Sequence, residues 1–170
     1  MVVLYSKCYI LSRTLSHSIM VFMRIEKKTA QCLIHQQKTL AIAESCTGGL
    51  LTHRLTNIPG SSKFLKLGLV VYSNEAKTKL LKISAPMLKR YGAVSQETAV
   101  AMARAVRTIY KTDFGVGITG IAGPAGGTPM KPTGLTYIAV STRGETVCVK
   151  RLSKGPRTSI KSQAATSALR

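Results

Sequence analysis

The feature that most constrains the fold is an alternation of strand-like and helical segments that begins near Lys28. Three short apolar runs have the character of buried strands, and helical segments separate them: Thr39–Glu44, Leu67–Tyr72 and Phe114–Thr119. Parallel strands need long crossover connections, which helices supply. This order therefore predicts a sheet with parallel strands and with helices packed on its faces.

Two further strand-like runs, Leu135–Ser141 and Thr146–Leu152, are separated by a short polar turn and predict an antiparallel hairpin. Helices are predicted over about Thr29–Gln37, from Thr47 to about Asn57, over Asn74–Leu81, after Ser95 and over about Arg157–Leu169. Thr47, Ser73 and Ser95 are the predicted N-caps. The sequence therefore predicts a single α/β domain with a mixed sheet that is covered on both faces.

Basic residues greatly outnumber acidic residues. The chain has 25 Lys and Arg against 6 Asp and Glu, which gives a formal net charge of +19 at pH 7. An anionic partner is expected from this balance. A nucleic-acid surface would gather its basic residues on one face and interleave them with aromatic residues, whereas here they are scattered and Trp is absent. Polynucleotide binding is therefore the less favoured main role.

The four cysteines and three histidines are far apart in the chain. Their spacing predicts neither a zinc site nor a disulfide framework, which favours a reducing, cytoplasmic compartment. No run approaches the roughly 20 apolar residues that a membrane-spanning helix needs. An integral membrane protein is therefore excluded at this stage.

The beginning of the chain differs from the rest. Residues 1–27 are predicted to be an extension of the domain, which would cover residues 28–170. Met1–Met23 contains two basic residues, several Ser and Thr and no acidic residue, a composition typical of an organelle transit peptide. The alternative is upstream sequence before a start at Met20 or Met23.

Two glycine-rich patterns resemble nucleotide-binding motifs but lack their context. Gly115, Gly117 and Gly120 form a literal G-x-G-x-x-G, yet the first two lie inside a predicted strand and no helix follows. The loop Gly120–Gly127 lacks the Gly-Lys-Ser/Thr ending of a P-loop. Its glycines would still let backbone N–H groups approach a ligand at a strand end.

Two other segments could carry chemistry. Glu44–Gly49 joins a strand end to a helix start, where N–H groups and the helix dipole favour an anion or a carbonyl oxygen, although an ordinary capped helix start fits equally well. Ser62 lies in a predicted turn, and Lys77 lies in the first turn of the next helix, with Tyr72 between them. If Lys77 were also buried, its pKa would fall and its neutral amine could take a proton from a serine.

Three long segments are similar to the CinA C-terminal domain family, which includes PncC-like nicotinamide mononucleotide amidohydrolases: Ala43–Lys77, Tyr91–Ala103 and Ile118–Gly134. They carry the sequences ESCTGG, PGSS, YSNEAK, YGAVSQETA and TGIAGP. The resemblance extends over about Gln31–Leu169. It implies a three-layer α/β/α fold and hydrolysis of nicotinamide mononucleotide to nicotinate mononucleotide and ammonia.

The resemblance also implies a site. Ser62, Lys77 and Tyr72 match the family's proposed Ser/Lys catalytic set, with Ser62 as the nucleophile. Residues implied to bind the substrate are Ser45, Thr47, Gly48, Gly49, Thr119, Gly120, Gly123 and Arg157. Lys161 stands where relatives often have a further Arg. Because a lysine can also bind phosphate, although not through paired bonds, phosphate binding is expected here. The resemblance implies a small nucleotide as the binding partner and implies no metal, cofactor or membrane. A homo-oligomer is also expected.

Two alternatives stay open at this stage. Cys46 could be the nucleophile, with Glu44 and Lys77 as helpers. The domain could also lack the activity and act as a basic module that binds RNA, DNA or a partner protein.

Overall fold

The structure of the chain is a computed structural model, and it describes Leu4 and residues 23–170. The predictions of a transit peptide and of a start at Met20 lie outside the described residues. The expected domain boundary at residue 28 stays a prediction.

The described part of the chain contains six α-helices and five strands. The helices are α1 Ile25–His35, α2 Leu50–Thr56, α3 Asn74–Leu81, α4 Ala85–Tyr91, α5 Gln96–Ile109 and α6 Arg157–Leu169. The strands are β1 Leu40–Glu44, β2 Leu65–Val70, β3 Phe114–Gly120, β4 Leu135–Ser141 and β5 Thr146–Leu152. A short 3₁₀ turn, Ser61–Lys63, precedes β2. Within residues 23–170, no helix has both the length and the apolar character needed to cross a bilayer.

The strands form one mixed sheet in the order β2-β1-β3-β4-β5. β1 pairs in parallel with β2 and with β3, whereas β3, β4 and β5 pair antiparallel in sequence order. The predicted α/β fold and its hairpin are confirmed. Because β1, β2 and β3 run in one direction, their carboxyl ends meet at one edge of the sheet, called the carboxyl edge below. Their amino ends meet at the opposite edge, called the amino edge.

Alternate side chains of β1 enter two different hydrophobic cores. Leu40 and Ile42 pack in a cluster with side chains of α1, α2 and α6. Ala41 and Ala43 pack in a second cluster with side chains of α3, α4 and α5. Since successive residues of a strand face opposite sides, the sheet separates two helical layers, and the three-layer α/β/α architecture is confirmed.

The glycines of the G-x-G-x-x-G pattern serve packing. A Cβ at Gly115 would collide with the carbonyl oxygen of Ala103, and one at Gly117 would collide with that of Ala99. Both carbonyls belong to α5, so the missing side chains let this helix lie directly on β3. Both glycines lie inside a strand, as predicted, and the structure shows that they belong to a helix–sheet contact.

Some local predictions are wrong. Helix α4 is absent from the sequence prediction, although Ser84 caps it through a bond from the N–H of Met87, at 3.4 Å, and Pro86 lies in its first turn, where a missing N–H costs little. The prediction that Thr47 caps α2 is also wrong, because α2 begins at Leu50 after Gly49 in the left-handed region.

The predicted caps of α3 and α5 are confirmed. Ser73 accepts from the N–H of Ala76 and Ser95 accepts from that of Thr98. Strand β2 begins and ends two residues earlier than predicted. Tyr72 therefore lies beyond the strand, in the connection to α3.

Candidate functional site

A cavity of about 250 Å³ opens at the carboxyl edge of the sheet. Its walls come from the turn after β1, the connection from β2 to α3, residues 93–94 before α5, the glycine-rich loop after β3 and the first residue of α6. The carboxyl edge of parallel strands is where ligands usually bind in α/β proteins. Three segments singled out from the sequence thus meet here: the turn after β1, the segment from Tyr72 to Lys77 and the glycine-rich loop.

The turn after β1 is held by the buried side chain of Glu44. Its carboxylate accepts from the N–H groups of Leu51, at 3.1 Å, and Thr52, at 2.8 Å, and from the Thr52 hydroxyl at 2.7 Å. Glu44 thus satisfies N–H groups in the first turn of α2 and places negative charge at the positive end of that helix. Its carboxylate is engaged in fixing the turn that presents Ser45.

Lys77 is the central side chain of the site. It belongs to α3, it is 1% exposed, and its side chain lies under the turn after β1. Its Nζ lies 3.1 Å from the Oγ of Ser45, 2.9 Å from the carbonyl oxygen of Val71 and 3.2 Å from that of Tyr72. No carboxylate of the described residues forms an ion pair with Lys77. The amine is therefore buried among neutral oxygen atoms.

This environment changes the pKa of Lys77. Burial lowers the pKa below its ordinary value of 10.5, and the nearby Cys46 opposes that shift only in part. A neutral amine has two N–H donors and one lone pair. Its two donors can bond to the carbonyls of Val71 and Tyr72, which leaves the lone pair facing the hydroxyl of Ser45.

The prediction that Ser62 pairs with Lys77 is wrong. Ser62 is exposed in the 3₁₀ turn before β2, and Lys77 lies beyond the other end of that strand. β2 has six residues, and a strand rises about 3.3 Å per residue, so the two side chains lie at opposite edges of the sheet. The serine beside the lysine is Ser45.

This correction has a signal in the sequence. Parallel strands bring together the segments that follow their carboxyl ends. Ser45 directly after β1 and Lys77 in the first turn of the helix after β2 therefore belong to the same edge. Ser62 precedes β2 and belongs to the opposite edge. From the sequence, Ser45 is expected to bind the substrate, and its contact with the lysine is not predicted.

The environment of Cys46 opposes its use as a nucleophile. The side chain is buried, and burial, aided by the charge of Glu44, raises the pKa of its thiol to about 11. The opposing charges of Lys77 and Lys161 lower it by less. Cys46 does line the cavity, but a reactive thiol needs a lowered pKa.

Tyr72 and Arg157 form one wall of the mouth of the cavity. One terminal nitrogen of Arg157 donates to the carbonyl oxygen of Gly123 at 2.7 Å, and the other donates to the Tyr72 hydroxyl at 3.1 Å. Arg157 is the first residue of α6, and no acidic residue lies in the first turn of that helix. Positive charge of the guanidinium and of the helix dipole therefore coincide here.

Lys161, one turn further along α6, adds a cation beside the turn after β1. Its Nζ lies 3.5 Å from the position that a Cβ on Gly48 would occupy. Gly48 is exposed and has a φ of 63°, which glycine adopts without strain. A larger side chain at this position would crowd the ammonium group.

The residues implied to bind the substrate divide into two groups. Five of them line the cavity: Ser45, Thr119, Gly120, Gly123 and Arg157. Thr47, Gly48 and Gly49 do not line it, and Thr47 is fully buried. Ala93 and Val94 are lining residues that the sequence analysis misses. The Thr119 hydroxyl donates to the Ala93 carbonyl at 2.6 Å, which ties that segment to β3. Residues 23–170 contain no cluster of three His, Cys, Asp or Glu side chains that could hold a metal.

Comparison with known sequences gives a consistent family. A model of the CinA C-terminal domain matches residues 23–170. The chain is 52% identical, over 145 residues, to a competence-damage inducible protein of Moorella thermoacetica, covering 85% of this chain and 35% of that protein. It is 51% identical, over 131 residues, to a CinA-like protein of Gemmatimonas aurantiaca, covering 77% of this chain and 31% of that protein. It thus spans about a third of the length of these curated relatives.

Solved structures show the same fold. The competence or damage-inducible protein from Enterobacter asburiae has a TM-score of 0.82 and 36% identity, with 85% of this chain and 91% of that chain covered. A CinA superfamily protein from Escherichia coli has a TM-score of 0.83 and 31% identity, with 92% of this chain and 90% of that chain covered. By sequence and by structure, the chain belongs to the CinA C-terminal domain family.

Proposed function

We propose that this protein is a serine amidohydrolase that converts nicotinamide mononucleotide and water into nicotinate mononucleotide and ammonia. The observation that carries the proposal is the position of the Lys77 Nζ, which is buried 3.1 Å from the Oγ of Ser45. It has no carboxylate partner among the described residues. A buried lysine of lowered pKa next to a serine hydroxyl is the arrangement that activates the serine as a nucleophile. The nicotinamide nucleotide itself comes from the resemblance to the family.

The first half of the reaction forms an acyl-enzyme. Neutral Lys77 accepts the hydroxyl proton of Ser45, and the Oγ attacks the carboxamide carbon. The bond from that carbon to nitrogen then breaks, and the departing nitrogen takes a proton from the Lys77 ammonium to leave as ammonia. Backbone N–H groups of the turn after β1 or of the Gly120–Gly127 loop would stabilise the negative oxygen of the intermediate.

The second half regenerates the serine. Lys77, neutral again, accepts a proton from water, and the hydroxide attacks the acyl carbon. The ester bond to the Oγ of Ser45 breaks and the oxygen recovers its proton from Lys77. Nicotinate mononucleotide leaves, so that one water is consumed and one ammonia is released.

The cations at the mouth support a nucleotide substrate. The cavity volume of about 250 Å³ lies below the roughly 300–1,000 Å³ of typical small-molecule sites, so a nicotinamide ring would occupy it while the ribose phosphate extends outward. Arg157 lines the cavity, and Lys161 lies one turn further along α6, beside Gly48. We propose that they bind the phosphate and that the Tyr72 hydroxyl, held by Arg157, orients the ribose or the reacting amide.

The test is an ammonia-release assay with nicotinamide mononucleotide on matched serine variants. Ser45→Ala is expected to lose the activity, since it removes the nucleophile, whereas Ser62→Ala should retain it. Cys46→Ala should also retain it. Loss in Ser62→Ala with retention in Ser45→Ala would reject the assignment, and no ammonia release by the wild-type chain would reject the substrate.

The non-enzymatic alternative predicts a different result. A basic interaction module would release no ammonia and would bind nucleic acid with an affinity that falls steeply with salt. The burial of Lys77 disfavours the role of a nucleic-acid-binding module. A lysine that binds backbone phosphates would be expected at the surface, whereas Lys77 is buried. The predicted cytoplasmic location and homo-oligomer belong to the same proposal.

A further inference from the structure

A second and larger cavity lies at the amino edge of the sheet. Its volume is about 750 Å³, against about 250 Å³ for the cavity that contains Lys77. Its walls come from Lys38 before β1, the end of α5, the start of β3 and the turn between β4 and β5. The length of the strands separates it from the proposed amidase site.

Four basic side chains and one acidic side chain line this cavity. Lys38 forms an ion pair with Asp113 at 3.1 Å, so these two charges offset one another. Arg107, Lys111 and Arg143 remain, and none of them pairs with a carboxylate of the described residues. Each comes from a different segment: a helix, the connection after it and the β4–β5 turn. The lining therefore carries an excess of three positive charges.

Asp113 does not offset the three remaining cations. Its carboxylate also accepts from the N–H of Thr39, at 2.9 Å, and from the Thr39 hydroxyl, at 2.8 Å. Burial acts to raise the pKa of Asp113, but the bonds from Thr39 and the charge of Lys38 outweigh it and hold the pKa below its ordinary value. The carboxylate thus joins the segment before β1 to the start of β3, and this structural role explains why an acidic residue lies in a basic cavity.

The basic residues are not required to cap α5. The N–H of Lys111 donates to the carbonyl of Thr108, at 3.3 Å, and the N–H of Thr112 donates to that of Arg107, at 3.1 Å. This pair of bonds is the Schellman arrangement, which satisfies the last carbonyls of a helix through the backbone. The helix dipole still favours cations near this end, but it does not explain Arg143, which belongs to the β4–β5 turn.

We propose that this cavity binds a small anion that carries two or more phosphate groups. Its volume falls within the range of small-molecule sites. Near neutral pH one phosphate group carries at most about two negative charges, fewer than the three that would neutralise Arg107, Lys111 and Arg143. The Nε of Arg107 donates to the Ser141 hydroxyl, at 3.3 Å, which holds the guanidinium in place for paired bonds to phosphate oxygens.

The shape of the site favours a small anion over a nucleic acid strand. A strand would contact basic side chains spread along an open surface, and the Lys and Arg of this chain are scattered. Here three cations converge on one concavity instead. Binding should therefore depend on these three side chains and not on the total charge.

The experiment is calorimetric titration of the full chain with inorganic pyrophosphate and with ATP at an ionic strength of about 0.15 M. The test variant carries Lys111→Gln and Arg143→Gln, two exposed positions. The control variant carries Lys63→Gln and Lys89→Gln, which are exposed elsewhere and make the same change in net charge. Thermal unfolding of both variants confirms that they fold.

We expect saturable binding of either probe by wild type and an affinity at least about tenfold lower in the test variant, the change that loss of one charge-assisted hydrogen bond predicts. The control variant should bind as wild type does. Equal weakening of probe binding in both variants would overturn the proposal, because it would show that total charge and not the cavity binds the probe. Tighter binding of a short single-stranded RNA than of either probe, weakened equally in both variants, would overturn it in the same way. Absence of binding by wild type to both probes would also overturn it. Ammonia release should be the same in all three proteins, so the result is independent of the proposed amidase activity.

Discussion

The two edges of the sheet use lysine in opposite ways. At the carboxyl edge, Lys77 is 1% exposed and has three uncharged oxygen atoms around its Nζ. At the amino edge, the side chain of Lys38 is 40% exposed and pairs with Asp113. Both nitrogens lie about 3 Å from an oxygen atom, yet only Asp113 supplies a negative charge.

The charge of the partner and the access of water therefore decide what each lysine can do. Lys38 is partly exposed to water and pairs with a carboxylate, so it acts as a fixed charge. Burial among neutral oxygens destabilises the ammonium form of Lys77, so it can exchange protons with a neighbour. Substitution of either lysine tests this difference, and the larger effect is expected at Lys77.

The sharpest change is Lys77→Arg, with Lys77→Met as its companion. Arginine cannot become neutral in a protein and cannot accept the proton of Ser45, so we expect ammonia release to fall about 10²–10⁴-fold, the usual contribution of a general base. Lys77→Met should lose at least as much. The matched control is Lys38→Arg, which should retain activity. Substantial activity in Lys77→Arg would show that the positive charge, and not the lone pair, supports the reaction.

The pH dependence of activity and of stability is a second test of the state of Lys77. The lowered pKa of Lys77 means that the neutral form is populated above that pKa, so kcat/KM should rise with pH and level off below 10.5. Between the lowered pKa and 10.5, the unfolded chain binds more protons than the folded chain at this residue. The free energy of unfolding of wild type relative to Lys77→Met should therefore increase with pH across that window. A difference that is constant with pH would contradict the lowered pKa.

The architecture can be predicted from the sequence because local signals and packing agree. The segments Asn74–Leu81 and Arg157–Leu169 and both hairpin strands have their predicted bounds. Ser73 caps its helix as its side-chain chemistry predicts. Apolar runs and capping residues reflect local conformational preferences. In these segments the tertiary contacts favour the same conformation, so the local preferences predict the observed bounds. Prediction fails at Thr47, because a carboxylate from the preceding strand takes over the role of the cap.

The site can be predicted from the sequence only in part. Lys77 and Tyr72 are found from the sequence, and both line the cavity at the carboxyl edge. Ser62 is favoured by the sequence because it is close to them along the chain and because the resemblance points to it. Which serine meets the amine depends on strand direction, and β1 brings Ser45 from 32 residues away. Proximity in sequence is therefore a poor guide across a parallel sheet.

The next expected effect is on stability, at the turn that holds Ser45. Glu44→Ala removes a buried carboxylate and leaves the N–H groups of Leu51 and Thr52 without their acceptor. We expect the free energy of unfolding to fall by about 3 kcal/mol, as for loss of hydrogen bonds to a charged group. Denaturant unfolding measures it. Glu75→Ala is the control, because its ion pair with Lys79 is highly exposed and should matter little. Equal losses of unfolding free energy in the two variants would contradict the role of Glu44 in fixing the turn.

The smallest expected effect is at the other lysine. Lys38→Met removes a half-exposed ion pair, and such pairs contribute at most about 1 kcal/mol. Because the pKa of Asp113 is lowered in the folded chain, the stability that it contributes is present above its unfolded pKa and is lost as the pH falls through its folded pKa. Lys38→Met should weaken this acid-range slope without abolishing it, since Thr39 still donates two bonds to the carboxylate. Denaturant unfolding at neutral and acidic pH measures the slope. A loss of unfolding free energy in Lys38→Met as large as that in Glu44→Ala would contradict the view that the charge at the carboxyl edge contributes more to stability than the charge at the amino edge.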